Sequence, residues 1–132
     1  MSVIEDIGNI ITWYQGQYAG APIEQYMDAK SKLLTLLWKF AGEVADAKHD
    51  SIMAENTRRA NFHEHKMRLI EEGNSGVAAE SMAEVVIRGD RAHEGETNAL
   101  FFKMKQLSDI AVKIAEDITQ RISVLRKERE NG

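Results

Sequence analysis

The chain has no cysteine and a single proline, Pro22. Without cysteine there is no disulfide, no thiolate nucleophile and no Cys-ligated zinc or iron–sulfur site. One proline in 132 residues leaves long stretches in which nothing interrupts a helix. Apolar/polar alternation of the strand type is nearly missing as well. No apolar run approaches the roughly 18 residues that a membrane span requires. The opening Met1-Ser2-Val3-Ile4-Glu5-Asp6 carries acids where a secretion signal carries bases, so a cytoplasmic protein without a membrane partner is expected. The formal charge of -4 is not that of a surface built wholly for phosphate. Among catalytic patterns, a phosphate-cradling glycine loop, a Ser/His/Asp set and a His-Glu-x-x-His motif are all lacking. Neither an enzyme nor a cofactor is therefore expected.

What is present is helix. Hydrophobic residues make up 43% and charged residues 29%, with Ala, Glu, Lys, Arg, Leu and Met prominent. Ser2 and Glu5 form a capping box ahead of Val3, Ile7, Ile10, Tyr14 and Tyr18, which predicts a first helix over about 2–19. Gly20-Ala21-Pro22 then suits a C-cap followed by a helix start. No further breaker pair occurs before Gly73, so a second helix is expected over about 22–72, roughly 75 Å long at 1.5 Å per residue.

Its first half carries a wide apolar stripe, with Met27, Leu33, Leu34, Leu37, Phe40, Ala41 and Val44. Its second half is mostly charged. Residues 73–76 form the turn, with Ser75 as a cap, and a third helix follows over about 77–129. A kink within 89–95 is the alternative to a continuous third helix, because Gly89 and Gly95 lower its propensity.

The fold class that follows is all-α, a single helical domain over 1–132. It is expected to be a long antiparallel, coiled-coil-like helical hairpin, with the short first helix completing a three-helix base at one end. Folding the hairpin about the turn sets Leu33 near Ile114, Phe40 near Leu107 and His49 near Asn98. The polar tip that remains buries little area against its ordering entropy, so self-association or a protein partner is expected to cover the helices, with Val85, Val86 and Ile87 among the residues that pair.

Several groupings bear on chemistry. Asp46 with His49, and Asp90 with His93, each set a carboxylate and an imidazole one turn apart, as dimetal bundles do with Glu. The remaining carboxylates have no source, so the surface reading is preferred and no metal is expected. His63 and His65 point about 200° apart on a helix and cannot chelate one ion. Arg58, Arg59, His63, Lys66, Arg68, Arg88 and Arg91 form a basic patch at the tip, the candidate surface for a partner or for nucleic acid. The acids interleaved with them favour a salt-bridged surface. Arg88-Gly89-Asp90 is read as a chance tripeptide. Trp13, Tyr14, Tyr18 and Trp38 are read as core residues of the base.

Two segments carry a resemblance. Phe62–Glu80 (FHEHKMRLIEEGNSGVAAE) and Asp117–Glu128 (DITQRISVLRKE) resemble small helical proteins encoded by tailed bacteriophages or prophages. In these a long helix, a Gly-Ser turn, an Ala-rich helix and a closing Arg-Ile-Ser-x-Leu-Arg segment recur. The resemblance covers about the C-terminal half. It implies a non-enzymatic accessory factor in the host cytoplasm that binds a protein partner or assists DNA replication and recombination, and it carries over no functional residue.

Overall fold

The computed structural model describes residues 2–17 and 20–131. Among them the chain forms an all-α fold of four helices: α1 (Val3–Gln15), α2 (Ile23–Glu71), α3 (Gly76–Val86) and α4 (Arg88–Asn131). They group into two compact units, Met1–Val44 with Met104–Gly132, and Ala45–Lys103. The first helix ends at Gln15, short of the expected 19, because Gly16 closes it by donating to Thr12 and Trp13 carbonyls. Tyr18 and Ala19, which the sequence reading included in that helix, lie outside the described residues.

In the first unit, the Ser2 Oγ accepts the Glu5 N–H at 3.1 Å, the N-cap that the sequence announces. Ile7 and Ile11 of α1 are buried, as are Ile23, Tyr26, Leu33 and Phe40 of α2 and Ala111, Ile114, Ile118 and Ile122 of α4. Tyr26 anchors the entry to α2. Its hydroxyl accepts the Ala21 N–H at 3.1 Å, and its ring meets those of Trp13 and Tyr14 edge-on, with centroids 5.6 and 6.3 Å apart. Burial, reinforced by the Asp117 carboxylate, pushes the Tyr14 phenol up.

The second unit is built differently. Its buried positions are largely alanines: Ala47, Ala54, Ala79 and Ala83, joined by Leu69 and Ile87. Leu69, Ala79 and Ala83 form one cluster, with Phe62 packed against it. Small side chains let helices approach closely, so little apolar area is enough to define the seam. At the end of α2, Gly73 adopts φ +100°, and the Asn74 N–H reaches back to the Leu69 carbonyl at 3.1 Å. This is a Schellman-type ending that a residue with a Cβ adopts only under strain. Ser75 then caps α3, its Oγ accepting from Ala78 N–H at 3.2 Å.

The expected third helix is two helices, and their junction falls at Ile87 rather than within 89–95. Ile87 has φ -91° and ψ 14°, off the α-helical values, and is 1% exposed. Burial of Ile87 thus accompanies the break, while Gly89 and Gly95 continue inside α4. The expected role of Ile87 in covering a partner is corrected accordingly, since it is already inside the unit. Val85 and Val86 remain exposed.

Two predictions follow from this packing. Phe40 is fully buried and Trp38, two residues away, is 84% exposed. Phe40→Ala is therefore expected to cost about 3–5 kcal/mol and Trp38→Ala no more than about 0.5 kcal/mol in denaturant unfolding. Nothing lies within 4 Å of where a Cβ at Gly95 would sit. Gly95→Ala is expected to stabilise by about 1 kcal/mol, read in the same experiment.

Candidate functional site

The basic residues singled out at the sequence level all lie in the second unit, and most are engaged by acids. Arg58 Nε donates to Glu94 Oε2 at 2.7 Å, and both side chains are only 18% exposed. Arg91 holds Glu84 through two bonds of 2.7 Å, a bidentate fork. Lys66 meets Glu80 at 2.9 Å, and Arg59 meets Glu55 one turn earlier on its own helix at 2.6 Å. Arg68 donates to His65 Nδ1 at 2.8 Å. His63 and Arg88 are exposed.

These ion pairs have an electrostatic signature. The hydrogen bond from Arg58 holds the Glu94 carboxyl below the usual carboxylate range, and Arg91 does the same for Glu84. Two further hydrogen bonds add to the seam: Asn61 Nδ2 donates to Asp90 Oδ2 at 2.9 Å, and Ser51 bonds Asn98. Asn98, expected near His49, bonds Ser51.

Asp90 is thus held by Asn61, while Asp46 and His49 are exposed. Among the described residues no group of three or more His, Asp or Glu side chains is placed to hold a metal ion. A depression of about 420 Å³ is lined by Asp50, Met53, Ala54, Thr57, Asp90, His93 and Thr97, and its Asp50, Asp90 and His93 do not form a group placed to hold a metal ion. Among the described residues no helix is long and apolar enough to cross a membrane.

The first unit holds what the sequence reading missed. Trp38 was expected in the core and instead stands in solvent, 84% exposed. Met27 and Leu34, counted in the core stripe, are exposed too, at 44% and 48%, and Ala41 is exposed with them. The physical reason is angular. Leu33 and Phe40 lie on one face, whereas Trp38 is two residues and so about 200° from Phe40. Met27, Leu34, Trp38 and Ala41 instead share a second face, spaced seven, four and three residues apart. That spacing was a readable signal for two apolar faces.

Beside this face runs an open groove of about 700 Å³ between α2 and α4. Met27, Leu34 and Ile122 give it apolar lining, and Lys30, Arg126 and Lys127 edge it along with the single acid Glu130. Comparison with family models, with curated proteins and with solved structures gave no match for the chain.

Two measurements test this description of the basic patch. With four of its seven basic groups already paired, it is expected to bind duplex DNA only weakly at physiological salt and with a shallow salt slope. A steep slope with tight binding contradicts the pairing argument. Because Glu94 is depressed in the folded state, its contribution to stability is present above the unfolded carboxylate value of about 4.3 and is lost as pH falls through the lower folded value. Arg58→Met is expected to lower the melting temperature at neutral pH and to flatten its fall at acid pH.

Proposed function

We propose that the chain is a non-enzymatic helical interaction protein whose working surface is the second apolar face of α2, centred on Trp38. The observation that carries this reading is the exposure of Trp38, at 84%, in the middle of a well-formed helix, with Leu34 one turn away and Met27 two turns beyond it. Tryptophan offers about 150–250 Å² of apolar area, and aromatic anchors of this kind dominate protein interfaces. Exposed apolar residues that line up along one helix differ from the scattered ones every surface carries.

On this reading, the α1, α2 and α4 stretches of the first unit form a three-helix base, and α2 with α4 belongs to an antiparallel, coiled-coil-like hairpin. The basic patch at Arg58, Arg59, His63, Lys66, Arg68, Arg88 and Arg91 has a supporting role in holding the second unit. The accessory role that the resemblance to bacteriophage proteins implies, in the cytoplasm of a bacterial host, is compatible with such a module.

The test compares the wild-type chain with a Leu34→Ser, Trp38→Ser variant. Both are expected to show the same helical circular dichroism and nearly the same melting temperature. The variant is expected to lose the proteins, or the copies of itself, that the wild type retains from a bacterial extract. Retention of the same set by both overturns the reading.

A further inference from the structure

The groove between α2 and α4 in the first unit gathers three cations that no acid meets. Lys30, Arg126 and Lys127 line it, and among the described residues none of the three forms an ion pair. The nearby acids of α2 are committed to other bases, Asp28 to Lys32 and Glu24 to Arg129. Glu130, one helical turn beyond Arg126 and Lys127, is the one acid among the described residues of the lining. In the second unit, by contrast, Arg58, Arg59, Lys66 and Arg91 each meet a carboxylate.

Lys30 is the sharpest case. Its neighbours along α2, Lys32 and Lys39, are exposed, whereas Lys30 is half-buried. A cation drawn partly out of water without a counter-charge costs stability. Hydroxyls converge on the same place, since Ser31 follows Lys30 and Ser123 stands one turn ahead of Arg126 and Lys127 on the opposite wall. Between the walls the surface is apolar, made by Met27, Leu34 and Ile122. At about 700 Å³ the groove has the size of small-molecule sites.

We infer that this groove binds an amphiphilic anion, a molecule with a phosphate or carboxylate head and one apolar chain. The head sits among Lys30, Arg126 and Lys127, where the planar fork of Arg126 suits two oxygens and the Ser31 and Ser123 hydroxyls donate from either wall. The apolar chain lies along Met27 and Leu34, two turns and about 10 Å apart. An inorganic anion would satisfy the cations and leave the apolar surface wet. A neutral apolar molecule would do the reverse. The protein carries a formal charge of -4, so an anion is drawn here by the local cations and not by the overall field.

The test titrates the whole chain with octyl phosphate below its micelle concentration, followed by calorimetry at low salt. One molecule is expected to bind per chain, more tightly than either inorganic phosphate or the neutral octyl glucoside. Lys30→Gln with Arg126→Gln removes two charges while keeping helix-compatible side chains, and is expected to weaken binding about tenfold or more. Lys39→Gln, at an exposed lysine outside the groove, is expected to leave it unchanged. Absence of saturable binding, equal binding of octyl glucoside, or full affinity in the double variant each overturns the inference. Binding to vesicles of anionic phospholipid without binding to monomeric octyl phosphate overturns it in favour of a membrane-surface contact. The double variant keeps Leu34 and Trp38, so the outcome is read separately from the partner capture that tests the Trp38 face.

Discussion

A helix advances by 100° per residue, and this fixed step decides what α2 can bury. Between Met27 and Val44 the helix is apolar over too wide an arc for one face. Leu33 and Phe40 go into the core, and Met27, Leu34 and Trp38 are carried out of it. Nothing local relieves the conflict, since no breaker lies between Pro22 and Gly73 to rotate one part of the helix against another. Burying Trp38 would expose Phe40. The outer face is thus a geometric consequence of continuing one regular helix through an apolar-rich segment, and it exists whatever the helix is used for.

The second unit answers a different constraint. Its α2 segment is charged, and its core is mostly alanine, so area burial alone gives a modest driving force. Close approach across small residues puts long side chains within reach of one another. Arg58 with Glu94 then joins α2 to α4, and Lys66 with Glu80 joins α2 to α3. The partly buried Arg58 pair is the one whose loss leaves a charge without a partner, the costly case for ion pairs. Arginine in this setting acts as a cross-strut, and its guanidinium is already committed to carboxylate. The same commitment lowers its value as a phosphate contact.

Much of this was legible in the residues. Ser2 and Ser75 cap the helices they precede, and Gly73 closes α2 with a positive φ. These are local signals, read within a turn or two. Three features were not legible, each for a stated reason. The outward placement of Trp38 depends on which of two apolar arcs meets the other helices, and both arcs satisfy the helical period. The junction between α3 and α4 falls at Ile87, where a buried isoleucine rather than a glycine marks the break, so propensity pointed two residues too far along. The pairing of Arg58 with Glu94 spans 36 residues, and its register moves with small changes in the turn.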